Sequence, residues 1–274
     1  MIIDGKAIAK AVRDNVREKS QRLTRKPSIV AMILGDHPAS ESYLKMLEKT
    51  CETVGFTYVL ERFALDMSEA KLLSEIERCN GDKTVDGILV QMPLPPQINP
   101  QNILEAIVPH KDLDGFHPLN AGRLFKGEKG TRPCTALAVV TILDALNIDL
   151  TGKNAVIIGR SNIVGKPLAI MLLEKNATVT VCHSKTQNLI HHTQNADIVI
   201  TALGVPKFLK REMVGPHAVV IDVGMNEVDG LLVGDADYEN LKDYVRMITP
   251  VPGGVGPVTN AVLLLNLLDN MCEV

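Results

Sequence analysis

The chain has 274 residues, enough for one large or two modest domains, each with its own core. Hydrophobic residues make up 46% and charged residues 22%, the balance of a soluble globular protein. A net charge of −3 with no basic run excludes an electrostatic footprint for nucleic acid or a membrane surface, and 3% aromatics without Trp exclude a stacking platform for single strands.

Helix and strand patterns then alternate along the chain. Ile8, Val12, Val16 and Leu23 recur at helical spacing over 8–23, and 28–34 reads as a strand. A helix over 40–54, closed by Gly55, precedes a strand over 57–63, a helix over 68–79 and a strand over 85–90. That strand runs into Gln91-Met92-Pro93-Leu94-Pro95-Pro96. A helix over 99–107 follows. Residues 109–133 read as irregular, and a helix over 135–146 leads into the next strand at Ala155. Strands are predicted at 178–182, 198–201, 218–223 and 247–248, and an apolar helix over 260–272. Strands separated by helices imply parallel sheets with right-handed crossovers. Two such runs, parted by the irregular stretch, predict two α/β domains with the boundary inside the 135–146 helix.

Five cysteines (Cys51, Cys79, Cys134, Cys182 and Cys272) lack CxxC or metal-type spacing, so no metal is expected. The odd count without a leader peptide predicts reduced thiols and a cytoplasmic location. No segment reaches membrane-spanning length.

The 154–167 segment, Asn-Ala-Val-Ile-Ile-Gly-Arg-Ser-Asn-Ile-Val-Gly-Lys-Pro, reads as strand, polar turn and helix start. Gly159 opens the turn, and Gly165 lets the helix pack closely. Amides at a helix start have no intrahelical partner and attract phosphate. Ser161 stands where a dinucleotide fingerprint has its second glycine, and the third comes one residue late, at Gly165. A structural turn and a nucleotide site both fit that pattern. The next strand ends in His183-Ser184-Lys185-Thr186 without the acid that binds the ribose hydroxyls of NAD. A hydroxyl, a cation and nearby Arg160 favour NADP; a solvated loop with incidental charge is the alternative.

Open α/β sheets bind ligands beyond their strands' carboxyl ends. In the first domain these ends are Leu34-Gly35-Asp36, Gln91-Met92-Pro93 and the loop Lys111-Asp112-Leu113-Asp114-Gly115, and the helix from Ser40 points Tyr43 to the same edge. They offer a tyrosine, an amide and a carboxylate but no nucleophile–base pair. His37, His110, His117 and His217 fall in loops and are not assigned to catalysis. In the second domain the Pro- and Gly-rich stretch Thr249 to Thr259 has free amides and an unusual backbone, which fits a ligand-facing loop at the cleft between the domains.

The chain closely resembles the bifunctional methylenetetrahydrofolate dehydrogenase/methenyltetrahydrofolate cyclohydrolase family over essentially its full length. The matching motifs are Ile3-Asp4-Gly5-Lys6, Ser40-x-x-Tyr43, Gly87-x-x-Val90-Gln91-x-Pro93-Leu94-Pro95, Lys111-Asp112-x-Asp114-Gly115 and Asn120-x-Gly122. Pro133-Cys134-Thr135, Gly159-Arg160-Ser161-x-x-Val164-Gly165-x-Pro167, Cys182-His183-Ser184-x-Thr186 and the 250–257 loop match as well. The resemblance implies NADP-dependent oxidation of 5,10-methylenetetrahydrofolate, then hydrolysis to 10-formyltetrahydrofolate, within one-carbon metabolism and purine biosynthesis. The alternative is a folate- or nucleotide-binding protein without catalysis. The implied fold is a folate domain (1–140, with the returning helix 258–274) and a Rossmann-type NADP domain (141–257), as a homodimer.

By the same resemblance Tyr43 stacks on the folate, Asp114 binds the pterin nitrogens and Gln91 supports the one-carbon chemistry. Pro252, Gly253 and Gly254 line the substrate. Gly159, Arg160, Ser161, Val164, Gly165, His183, Ser184 and Thr201 hold NADP, with Arg160 and Ser184 on its 2′-phosphate. Two positions depart from the pattern. Leu47 stands one turn after Tyr43, where the family has a lysine central to the hydrolytic half. Lys45 and Lys49 lie two and six residues past Tyr43, off its face at about 100° per residue. Ala136 replaces a proline at a helix start.

Overall fold

The computed structural model of the chain describes residues 1–271, apart from the side chains at 38, 39 and 42; Cys272 lies outside the described residues. The chain divides into two units. The N-terminal unit holds Ala11–Cys134 and the chain from Asn260 onward, and the C-terminal unit holds Met1–Lys10 and Thr135–Thr259. The first ten residues therefore join the second unit, and its start lies a little before the expected 140/141 boundary. The cause is a long-range pairing. Ile2 bridges Ile248, and the Ile3 amide donates to the Ile248 carbonyl at 2.8 Å. Local periodicity carries no sign of a partner so distant in sequence.

Helix α1 (Gly5–Ser20) starts on Asp4, whose Oδ1 accepts from the Ala7 amide at 3.0 Å. Strand β1 (Ser28–Leu34) is almost wholly buried, as its unbroken apolar run requires. Helix α2 (Pro38–Val54) ends at Gly55, in the left-handed region with φ 81°, and β2 (Thr57–Phe63) follows. Ser68 caps α3 (Glu69–Gly81), which leads to β3 (Gly87–Val90) and α4 (Pro100–Ala106). The three strands pair in parallel in the order β2-β1-β3. Val30, Met32, Leu34, Ile88 and Val90 pack with Leu72, Ile76 and Ile103 into one core. The partly exposed edge strand β2 carries charge, with Glu61 paired to Arg78.

One element departs from the sequence reading here. The stretch expected to be irregular contains helix α5 (Pro118–Phe125). His117 caps it through Nδ1, which accepts from the Leu119 amide at 3.0 Å, and Pro118 supplies a preset first turn.

Helix α6 (Cys134–Ala145) precedes β4 (Asn154–Ile158), α7 (Gly165–Glu174), β5 (Thr178–Cys182), α8 (Leu189–Thr193) and β6 (Ile198–Thr201). Strand β7 (Val219–Asp222) is followed by an antiparallel hairpin, β8 (Asn226–Val228) with β9 (Leu231–Val233). Short α9 (Tyr238–Leu241) leads to β10 (Met247–Ile248), which completes the sheet, and α10 (Val255–Met271) follows. The strand order β10-β7-β6-β4-β5 is parallel throughout. It reverses direction between β4 and β6, which opens a crevice at their carboxyl ends. The hairpin, α8 and α9 are absent from the sequence reading. The last helix begins at Val255, so the Pro- and Gly-rich loop is shorter than expected.

Candidate active site

In the C-terminal unit, the crevice between β4 and β6 is where the phosphate-type turn lies. Gly159 has φ 139°, and a Cβ there would sit 2.1 Å from the Ala202 carbonyl oxygen. Only glycine fits that position. Gly165 opens α7, and its own Cβ would meet the Gly159 carbonyl at 2.2 Å. The helix start is thereby drawn onto the turn. Ser161 Oγ accepts from the Val164 amide at 3.1 Å, so Ser161 and buried Val164 shape the turn from within. Arg160 is exposed on it.

Strand β5 pairs Cys182 with Ile158, so the two strand ends lie side by side. Past Cys182, the His183 amide donates to Thr186 Oγ1 at 2.9 Å, and the Thr186 amide returns to the His183 carbonyl at 2.8 Å. His183 Nδ1 accepts from the Lys185 amide at 3.1 Å, and Ser184 is exposed at the tip. These features fit a dinucleotide phosphate: a glycine cradle, a ten-residue helix starting at it, and a cation with a hydroxyl on neighbouring strand ends.

Thr201 is fully buried, and its hydroxyl donates to Asp222 Oδ1 at 3.0 Å. It therefore faces a carboxylate network. Asp235 accepts from the amides of Leu203, Gly204 and Val205 at 2.7, 3.0 and 2.9 Å. Asp222 accepts from the amides of Gly224, Asp235 and Ala236. The two acids pin the loop after β6, whose Ala202 touches Gly159. Gly224 and Gly234 are the sequence trace of this network, since a Cβ at either would strike Asp235 or Asp222. Burial pushes the Asp222 carboxyl up to about 6 against those hydrogen bonds.

The 250–254 loop belongs to the same unit. Gly253 has φ 104°, and buried Gly254 packs on Gly5, where a Cβ would lie 1.9 Å from the Gly254 oxygen. The Asp4-Gly5 motif thus exists to let the loop approach. Pro252 is exposed.

In the N-terminal unit, Tyr43, Gln91 and Asp114 come from α2, the end of β3 and the segment beside β3. The Ile88 amide donates to the Lys111 carbonyl at 2.8 Å, and Asp112 makes a single parallel bridge to Ile88. Lys111 Nζ donates to the carbonyls of Cys79, Asn80 and Asp82, each at 2.8 Å, and so closes α3. Gln91 Nε2 donates to the Met92 carbonyl at 2.8 Å and to Ser40 Oγ at 3.4 Å. That bond joins the strand end to the helix carrying Tyr43.

The neighbouring Asp112 accepts from the amides of Gly115 and His117 and from Asn120 Nδ2. Asp114 differs sharply. Burial, with the Asp112 charge second, pushes its carboxyl up to about 7, and no hydrogen bond among the described residues offsets that. Burial also pushes the Tyr43 hydroxyl well up, with Asp114 and Cys134 as the next causes, so tyrosine and carboxylate share one region.

A stability test follows from Asp114. A carboxyl raised from 3.8 to about 7 holds its proton more tightly when folded. Its contribution is full below the unfolded value and is lost as pH rises through the folded one. Asp114→Asn removes that loss. The variant's thermal midpoint should gain on the unaltered protein between about pH 4 and pH 7. A constant gap across that range would show that Asp114 is not held in this state.

Two family profiles match the chain. Tetrahydrofolate dehydrogenase/cyclohydrolase, catalytic domain, matches residues 3–114, and its NAD(P)-binding domain matches residues 133–274. The "Bifunctional protein FolD" of Paraburkholderia phytofirmans is 49% identical over 272 residues, covering 98% of this chain and 95% of the relative. The crystal structure of the bifunctional FolD methylenetetrahydrofolate dehydrogenase/cyclohydrolase from Campylobacter jejuni superposes with TM-score 0.97 at 43% identity, covering 100% of this chain and 99% of that one. The Trypanosoma brucei enzyme, solved with NADP cofactor and inhibitor, superposes at 0.93 with 34% identity and coverages of 100% and 97%.

Proposed function

Because the chain belongs to the tetrahydrofolate dehydrogenase/cyclohydrolase family, we propose that it oxidises 5,10-methylenetetrahydrofolate to the methenyl form with NADP, and that Leu47 leaves the hydrolysis to 10-formyltetrahydrofolate weak. The observation that carries this reading is Asp114, a half-buried carboxyl raised to about 7, with no hydrogen-bond donor among the described residues, in the same region as Tyr43. A pterin head group supplies paired N–H donors to such an acid. Tyr43 offers a ring face for the folate, and Gln91 a polar group at the strand end.

When bound, NADP supplies the hydride acceptor. Hydride transfer asks the protein to position two reactants and requires no protein acid or base. Gly159 and Gly165 keep side chains out of the phosphate turn, and Arg160 and Ser184 meet the 2′-phosphate. The network of Asp222 and Asp235 holds the crevice wall rigid, and Thr201 acts through it.

Formation of NADPH from methylenetetrahydrofolate by the purified protein tests this reading. Binding of both ligands without turnover would instead make it a binding protein. Cofactor preference gives a sharper result. Arg160→Ala should raise KM for NADP by about tenfold or more, the worth of one charge-assisted phosphate contact, and leave KM for NAD nearly unchanged. Equal efficiency of the unaltered enzyme with both cofactors would overturn the assignment.

The buried free thiols of Cys51, Cys79, Cys134 and Cys182 support a cytoplasmic setting. The exposed Met225, Leu231 and Leu232 around the β8–β9 hairpin support a homodimer through the C-terminal unit. Light scattering at micromolar concentration should give twice the chain mass, and a monomer would refute the dimer.

A further inference from the structure

We propose that Asn266, on α10, is a positioning residue for the Asp114 carboxylate and so sets folate affinity without touching folate. The inference rests on Asp114 being the head-group ligand.

The segment carrying Asp114 is fixed on both sides. Before it, the Leu113 side chain fills the space left by Gly87, where a Cβ would lie 2.5 Å from Leu113 Cδ2. After it, the Gly115 amide donates to Asp112 Oδ1 at 3.0 Å. The Leu113 carbonyl belongs to the peptide that leads directly into Asp114. Rotating that peptide swings the Asp114 Cα–Cβ bond, and with it the carboxylate.

Two donors hold this carbonyl. Asn266 Nδ2 and Cys134 Sγ each lie 3.1 Å from it. A thiol is a weak donor, so the amide is the stronger anchor. The same Asn266 nitrogen donates to the Arg132 carbonyl at 2.8 Å and lies 3.4 Å from Cys134 Sγ. Its two hydrogens thus serve the two carbonyls. Gly115 has φ 73°, and a Cβ there would lie 2.6 Å from the Arg132 carbonyl carbon. Asn266 therefore ties the segment carrying Asp114 to the 132–134 segment lying against it.

The clamp is dry. Asn266 is 4% exposed, Cys134 2% and Leu113 fully buried. Removing the amide leaves the buried Leu113 carbonyl with only the weak thiol donor and little access to replacement water, and such a group reorients toward other donors. Below Asn266 on the same helix, Asn270 Nδ2 donates to Thr131 Oγ1 at 2.9 Å, so Thr131 keeps its own side-chain tie to α10 when position 266 changes. The local effect then falls on the Leu113–Asp114 peptide.

A double-mutant cycle on the full-length protein tests this, with tetrahydrofolate and NADP as the titrants. Asn266→Leu keeps the volume and removes both donors. Its Kd for tetrahydrofolate and KM for methylenetetrahydrofolate should rise about tenfold, while Kd for NADP stays within about twofold. Combined with Asp114→Ala, the leucine should cost no more than about a further twofold, because no carboxylate remains to be placed. Asn266→Ser, which retains one donor, should fall between the two and supplies the cycle if the leucine variant does not fold. Multiplying losses, or a folded Asn266 variant with normal tetrahydrofolate affinity, would overturn the inference while leaving Asp114 as ligand. An Asp114→Ala protein with unchanged affinity would overturn the head-group reading and this inference with it.

Discussion

Hydrolysis of the methenyl substrate is expected to run about 10²–10⁴-fold below the rate that a positioned proton-transfer group would support, whereas NADPH formation keeps most of its rate. The position one turn past Tyr43 is Leu47, fully buried in the apolar stripe of α2 with Leu44, Cys51 and Val54. It offers neither charge nor proton. Lys45 and Lys49 are exposed on the helix's outer side, and buried Lys111 is committed to three backbone carbonyls. Tyr43, Gln91 and Asp114, the proposed folate contacts, are retained, so binding and hydride transfer are expected to persist.

Leu47→Lys should raise methenyl hydrolysis severalfold or more with little change in NADPH formation. The burial at 47 adds a second expectation. An ammonium placed there is desolvated, so its pKa falls toward neutrality and the fold loses stability. The variant should therefore be more active in hydrolysis and melt earlier. Both half-reactions assayed on one preparation decide the matter, and an unaltered protein whose hydrolysis matches its dehydrogenase rate would show the lysine to be dispensable.

The strands were legible where the chain is apolar, β-branched and bounded by turn residues. Ser28–Leu34, Thr57–Phe63, Thr178–Cys182 and Ile198–Thr201 match the sequence reading residue for residue. Helix α5 was not, because Gly122 and Arg123 interrupt a pattern of only eight residues, and its real signal is the His117–Pro118 start. The β8–β9 hairpin was missed for a related reason. Its strands span three residues each, but Asp229-Gly230 at its tip, both at positive φ, is a turn pair that specifies a hairpin.

Of the site, the residues on strand ends were visible and the residues that hold them were not. Gln91 was read from where β3 stops, and Tyr43 and Asp114 were read to the same edge from α2 and the 111–115 loop. Asn266 lies 153 residues from the carbonyl it anchors, and Asp235 about thirty from the amides it gathers. Neither distance leaves a periodic trace. Only the glycines at 87, 224 and 234, which make room for Leu113 and for the two buried acids, mark those contacts in the sequence.

Asp114→Ala should weaken tetrahydrofolate binding by about 2–3 kcal/mol, roughly 30- to 150-fold, the upper part of the range for hydrogen bonds to a charged group. The match is one of polarity. A carboxylate only accepts, and the pterin amino and ring N–H groups only donate, so the pair matches in a way that a neutral side chain does not reproduce. Asp114→Asn keeps the shape but turns one acceptor into a donor, and it should lose nearly as much as the alanine. The titration of Asp114 sharpens the test. With its carboxyl raised to about 7 by burial, part of the free protein carries the protonated form at neutral pH. Only the ionised form accepts both N–H groups, so affinity is greatest above that value and falls as pH drops through it. In Asp114→Asn the affinity should be low and flat over the same range. A folded Asp114→Ala protein with undiminished affinity, or an unaltered protein whose affinity ignores pH between about 6 and 8, would remove Asp114 from the folate site.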